Sequence, residues 1–290
     1  MERLRYYIKS IRWFEIAVRT GAPVIAILIV LSELNLVTGF KILHAFFAFF
    51  LLWAHGYAFN EWGGYAFDKL DGSKAKTPLL AGHVSHRELL ILSIVFAGIS
   101  VVLYATLDMK FLIIIFFDII MGILYVHPKI LLKNVPIASF VILFIVSVND
   151  FLLGWLVFSP DISQGLLIGM YFGLLGITGQ HFHEAGDCDS DKRANIRTNA
   201  VRFGKKNIFI IGFIFYTLSC IYFIFLSLTK IIPQYLYIVL LITYPIYFVI
   251  FYKCLKSSMG SSDVRCFVKR YRQLYGFIGL CFIIQLFLVI

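Results

Sequence analysis

Residues 164–198 read QGLLIGMYFGLLGITGQHFHEAGDCDSDKRANIRT. The first half has no charged side chain, and the stretch from His181 to Thr198 then holds four carboxylates, two histidines and three cationic side chains. An uncharged run of roughly 20 residues spans a bilayer as a helix, so the polar stretch after it is where that helix leaves the membrane. The whole chain agrees. Of its 290 residues 60% are hydrophobic and only 14% charged, whereas a soluble domain keeps about a quarter of its residues charged.

Similar runs lie at about 18–34, 41–59, 88–106, 111–126, 136–158, 164–181, 207–227, 234–252 and 273–290, which predicts an all-α protein with nine transmembrane helices in a single bundle around a central cavity. The basic residues support this count. With the N-terminus on the cytoplasmic side, 23 of the 26 Lys and Arg residues fall in inside segments, and only Lys41, Lys110 and Lys230 fall outside. The net charge of +10 is therefore mainly a topology signal. It calls for no nucleic acid, and it suits anionic lipid or an anionic substrate. The opening MERLRYYIKSIRWFEIAVRT lacks a small-residue cleavage site and reads as an interfacial helix leading into the first span. The five cysteines are odd in number and have no CxxC spacing, so reduced thiols are expected instead of a disulfide framework or zinc knuckle.

No linker interrupts the chain, so residues 1–290 are expected to form one domain of two pseudo-repeated halves, roughly 1–135 and 136–290. Two inside loops, about 60–87 and 182–206, are long and polar. Each starts with acids at four-residue spacing and continues into basic residues. Matching interruptions in two halves of a bundle point to one shared site.

In the second loop Glu184, Asp187 and Asp191 fall on one helix face, and Asp189 points elsewhere. Three anions on one stripe repel unless they are solvated or a cation lies among them. An EF-hand starting at Asp187 would need glycine at Lys192 and glutamate at Thr198, and a zincin would need histidine at Asp187. Hard oxygen ligands with room for water suit Mg2+. In the first loop Asn60, Gly64 and Asp68 share a stripe, with Glu61 beside it and Asp71 one turn on. Lys74, Lys76, Lys129, Lys133, Lys192, Arg193 and Arg197 come from three inside loops, as gripping a polyanion requires. Metal-binding carboxylates ringed by cations describe a diphosphate site.

These residues resemble the UbiA superfamily of intramembrane prenyltransferases. The second loop is similar to that family's D-x-x-D-x-E-G-D pattern and its following threonine, through Glu184, Asp187, Asp189, Ser190, Asp191, Asn195, Ile196 and Thr198, then NAVRFG. The first resembles N-D-x-x-D-x-x-x-D followed by P-L-x-x-G, through Asn60, Glu61, Gly64, Asp68, Pro78, Leu79 and Gly82. YVHPKILLK, 125–133, is similar to the family's Y-S-x-P-P-x-x-L-K stretch. There are departures. Gly64 stands where the family has the middle aspartate of its first motif, Glu61 replaces an aspartate, and Glu184, Asp189 and Ser190 are substitutions in the second. The loss at Gly64 puts the family's usual two-metal arrangement in question.

The resemblance implies an integral membrane enzyme, in the cytoplasmic membrane if the source is prokaryotic, with its site facing the cytoplasm. It would transfer a prenyl group from an isoprenyl diphosphate to a lipophilic, often aromatic, acceptor. Asp68, Glu61, Glu184, Asp187 and Asp191 are the candidate Mg2+ ligands. Asn60, Lys76, Lys129, Lys133 and Arg197 are the candidate diphosphate contacts, and Asp68, Asp187, Asp191 and His55 the candidate catalytic residues. Fifty Phe, Tyr and Trp residues can wall a dry chamber for a carbocation, with Tyr57, Tyr65, Tyr125 and Tyr171 as candidates. Asp118 and Asp150 lie deep in their spans, where ionisable groups are costly. Gly165, Gly169 and Gly173 form a close-packing face. A terpene cyclase of the same superfamily and an ion-coupled transporter are the alternatives. Acids gathered at one membrane face count against the transporter.

Overall fold

A computed structural model describes residues 2–69, 75–135 and 137–288. Asp71 and Lys74 lie outside the described residues. Among these the chain is helical, without a strand: α1 (Glu2–Ser10), α2 (Trp13–Arg19), α3 (Gly21–Val30), α4 (Leu36–Asp68), α5 (His86–Leu107), α6 (Phe111–Val126), α7 (Ala138–Trp155), α8 (Ile162–Arg193), α9 (Asn199–Phe203), α10 (Lys205–Leu228), α11 (Leu236–Lys256) and α12 (Ser261–Phe287).

Seven segments are long and apolar enough to cross a membrane: Arg3–Val30, α4, α5, α7, α8, α10 and α11. The other two of the nine expected spans, α6 and α12, are helices at the expected places. With 16 residues, α6 reaches about 24 Å, short of a hydrocarbon core of about 30 Å. In α12, Asp263, Arg265, Lys269, Arg270 and Arg272 occupy the first half and leave only the second half apolar.

The chain divides into two compact units. The first comprises Met1–Thr20 and Leu34–Lys133. Its helices start where sequence chemistry says they should. Asn35 and Thr38 form a capping box at the head of α4, and Ser85 and Glu88 form another at the head of α5, satisfying amides that open a helix. The expected single interfacial helix is broken instead at Arg12, whose backbone is left-handed (φ 53°, ψ 51°). Downstream of the break Ile16, with Ile11, packs on Ala54 of α4 and on Phe50, Trp53 and Tyr57. Tyr6 and Tyr7 of α1 lie with Trp62 and Tyr65 against Leu79, Val84 and Leu89.

The second unit comprises Gly21–Glu33 and Asn134–Ile290. Here the glycine stripe of α8 meets α7. A Cβ at Gly165 would lie 2.7 Å from the Trp155 ring, and one at Gly173 would lie 2.7 Å from that of Phe144. Small residues are what let these two backbones approach.

The two acidic clusters are helix ends, as the one-face spacing of their acids suggested, so the polar segments expected from about 60 and 182 begin as helix. α4 has 33 residues and α8 has 32, about 50 Å each where roughly 20 residues suffice to cross. Neither cluster contains a proline to stop the helix. α8 ends by a Schellman closure: Asn195 is left-handed (φ 56°), its N–H donates to Lys192 O, and the Ile196 N–H donates to Asp191 O at 2.8 Å. Ile196, just after the turn, is buried.

Candidate functional site

At the end of α8 the three carboxylates expected on one stripe do different things. Glu184 is 4% exposed. Its Oε1 accepts from Ser139 Oγ of α7 at 2.8 Å, from Gln180 Nε2 at 3.0 Å and from Asn199 Nδ2 of α9 at 3.3 Å, and its Oε2 accepts from the Ala200 N–H at 3.4 Å. Asn199 also donates to Ser139 Oγ at 2.9 Å and accepts from the Ile137 N–H at 2.8 Å. Glu184 thus closes a network tying the start of α7, the end of α8 and α9. Ser139, Gln180 and Asn199 escape a search for metal ligands. Asn199 opens the NAVRFG stretch that carries part of the resemblance, whereas nothing local marks Ser139 or Gln180 as its partners.

Asp187 and Asp191, one turn apart, stay half-exposed. The Asp187 carboxylate pairs with His183 Nδ1 at 3.1 Å and approaches Arg265 of α12 at 3.9 Å. Thr198 Oγ1 donates to Asp191 Oδ2 at 3.2 Å. Asp189 does point elsewhere: Lys205 Nζ and Ser261 Oγ both donate to its Oδ2 at 2.6 Å, clasping α8 to the heads of α10 and α12. Arg197, Lys192 and Arg193 are exposed.

The end of α4 is built differently. Asn60 and Asp68 are half-buried, whereas Glu61 is 5% exposed and its Oε1 has no hydrogen-bond partner. Lys133 Nζ lies 4.9 Å over the ring of Phe67, beside Asp68 in sequence. Lys76 and Lys129 are exposed.

His55, expected at an acceptor pocket, is buried between α4 and α5. Its Nδ1 lies 2.8 Å from Ser93 Oγ and 3.1 Å from Ser93 O. The Tyr57 ring lies under the Arg12 guanidinium, the Tyr65 ring under Lys69 Nζ, and the Tyr171 ring lies tilted against that of Phe223 in the core of the second unit, 4.4 Å between centroids. Asp150 is buried within α7. A small cavity of about 190 Å3 among Leu28, Leu31, Pro233, Tyr235 and Leu286 lies at the opposite end of α12 from Ser261, away from the acids of α8.

Among the described residues no three His, Cys, Asp or Glu side chains are grouped so as to hold a metal ion. The donor chemistry of the two motifs still separates them. Mg2+ uses one or two protein carboxylates and fills its octahedron with water and phosphate oxygens. Asp187 and Asp191 fit that demand, being hard anions, accessible, and steadied by His183 and Thr198. Glu184, turned into its own network, does not. In the first motif Glu61 is enclosed and Gly64 offers no ligand, so among the described residues Asp68 is the accessible acid there.

Residues 21–275 match the model of the UbiA prenyltransferase family. The fold is similar to that of a UbiA homolog from Archaeoglobus fulgidus bound to GPP and Mg2+, at 19% identity and a TM-score of 0.71, covering 96% of this chain and 99% of that one. It is also similar to a digeranylgeranylglyceryl phosphate synthase, at 19% identity and TM-score 0.71, covering 98% of each chain. A UbiA homolog from Aeropyrum pernix K1 gives 17% identity and TM-score 0.72 over 95% of this chain and 98% of that one. No curated protein matches the sequence.

Proposed function

The chain belongs to the UbiA prenyltransferase family and is an integral membrane prenyltransferase, and from that premise we propose that it transfers a prenyl group from an isoprenyl diphosphate to a lipophilic acceptor with the help of Mg2+. The observation that carries this is the end of α8. Asp187 and Asp191 stand one turn apart where an apolar helix becomes polar, both reach solvent, and both are oriented by neighbours. A similar fold that binds GPP and Mg2+ supports it.

The hard step is heterolysis of the allylic C–O bond, which leaves negative charge on diphosphate and positive charge on carbon. Magnesium bound at Asp187 and Asp191 would supply positive charge where the leaving group develops its negative charge. Lys76, Lys129, Lys133 and Arg197 are the cations we assign to diphosphate oxygens, with Asn60 as a neutral donor and Asp68 as the acid of the first motif. Exposed guanidinium and ammonium groups suit phosphate oxygens, and Arg can meet two at once. His183 and Thr198 keep the two α8 carboxylates from turning away. Glu184 is assigned to helix packing, because both of its oxygens accept hydrogen bonds within the protein, and His55 is assigned to it through the bond between its Nδ1 and Ser93.

The test is to incubate the purified protein with prenyl diphosphates of several lengths, Mg2+ and candidate acceptors, then to analyse lipids by mass spectrometry and assay inorganic diphosphate. Acceptor-dependent release with a prenylated lipid is the expected result. Acceptor-independent release would mean cyclisation. No release with any acceptor or chain length would overturn the proposal.

A further inference from the structure

One face of α1 ties it to the rest of the first unit. Its Tyr6 and Tyr7 lie with Trp62 and Tyr65 of α4 against Leu79, Val84 and Leu89, the Tyr6 ring stacks on that of His83 at 3.9 Å, and Arg3 pairs with Glu88. Most of these partners belong to the start of α5 or to the turn before it. That turn is closed on itself: the Ala81 N–H donates to Thr77 O, the Gly82 N–H to Leu79 O, and the His83 and Val84 N–H groups both to Pro78 O. α1 is therefore a clamp on the turn, and the exposed Lys76 stands two residues before Pro78.

The opposite face of α1 divides lengthwise. Leu4 and Ile8, one turn apart, are 62% and 41% exposed. Arg5 and Lys9, the next stripe round the helix and again one turn apart, are exposed beside them. Just past the left-handed break at Arg12, Trp13 and Phe14 are 54% and 61% exposed. A row of apolar side chains beside a row of cations, with large aromatic rings at one end, is the face of a helix that lies in a headgroup layer. The apolar row suits acyl chains, and the cations at its edge suit phosphate. Nine residues are too few to keep a helix formed in water, and the break at Arg12 prevents α1 from continuing into α2. Contacts on both faces therefore decide whether α1 holds.

We propose that the outer face of α1 is a docking site for the headgroups of anionic phospholipids, and that their binding at Arg5 and Lys9 holds the turn before α5 in place. Topology explains why cations stand near this end of the chain. It does not explain why two of them share a stripe beside Leu4 and Ile8 on a helix whose other face grips a turn. At an anionic leaflet each of the two is worth about fivefold in occupancy, and the pair about 25-fold. Docking on one face stabilises the helix, and a helix that stays formed keeps Tyr6 on His83. The order of the segment next to Lys76 thus follows the charge of the surrounding lipid, whatever reaction the protein performs.

The test reads the two segments without an activity assay. Full-length protein is placed one chain per nanodisc, in phosphatidylcholine alone or in equal parts of phosphatidylcholine and phosphatidylglycerol, and amide hydrogen exchange is followed by mass spectrometry. Phosphatidylglycerol should slow exchange about tenfold or more both in residues 3–10 and at Ala81, Gly82, His83 and Val84, with α10 unchanged as the control. Arg5→Gln combined with Lys9→Gln should cut that response to less than about twofold in both places. Tyr6→Ala should keep the response in residues 3–10 and lose it in the turn, which separates docking from the clamp. Equal exchange in the two lipids, or an undiminished response in the double variant, would overturn the docking site. A response in residues 3–10 of the wild type with none in the turn would overturn the clamp. Slowing that appears only with two chains per disc would make a second copy the partner of this face, and would overturn the proposal as well.

Discussion

The ends of α4 and α8 start from the same design and finish as different devices. Both are helices of more than 30 residues that carry acids at three- and four-residue spacing past their apolar part. At α8 the buried acid, Glu184, is met by four donors and stiffens the helix, which leaves Asp187 and Asp191 accessible. At α4 the buried acid, Glu61, has an oxygen with no hydrogen-bond partner beneath the N-terminal helices, and the middle of the stripe is glycine. Spacing of acids on a helix therefore does not define a metal site. Burial and donors from elsewhere in the chain decide which of those acids stay accessible.

The contrast should be sharpest in catalysis. Asp187→Ala or Asp191→Ala should each lower prenyl transfer by about 10³-fold or more, because leaving-group stabilisation is the main contribution asked of them. Asp68→Ala should cost about 10- to 100-fold. Unchanged far-UV circular dichroism would show the fold intact, and equal losses at all three positions would break the comparison.

Stability should separate the two glutamates. Glu184→Ala orphans Ser139, Gln180, Asn199 and the Ala200 N–H, for a cost of about 2–4 kcal/mol in reversible unfolding. Glu61→Gln should be close to neutral, since Oε1 has no hydrogen bond to lose. A larger loss at Glu61 than at Glu184 would reverse the contrast. Next in size, Gly63→Ala forces a contact with backbone and should cost about 1–3 kcal/mol, while Gly64→Asp should cost less than about 0.5 kcal/mol. The smallest effect sits at the stop of α8. Asn195→Val, β-branched at φ 56°, should cost about 1 kcal/mol, and Asn195→Gly should cost nothing measurable.

Much of this was legible in the residues. The apolar run ending at His181 and the acids after it place the end of α8, and Gly165, Gly169 and Gly173 announce the face that α7 covers. Their spacing could not say which way Glu184 turns. That depends on Ser139, 45 residues earlier, and on Asn199, 15 residues later, and neither stands out as a candidate ligand. Nor could the sequence say that Ser93, 38 residues later on α5, meets His55 Nδ1. Nothing in MERLRYYIKSIRWFEIAVRT marks Arg12 as the break, since its conformation is imposed by what α1 and α2 pack against.

Composition and period were enough for the membrane, the helices and the two acidic exits, because transferring apolar surface out of water and satisfying every backbone amide inside lipid are local demands that each segment meets alone. The fate of each carboxylate was left to tertiary packing. A buried oxygen is met by donors distant in the chain, and only folding brings Ser139 and Asn199 to Glu184.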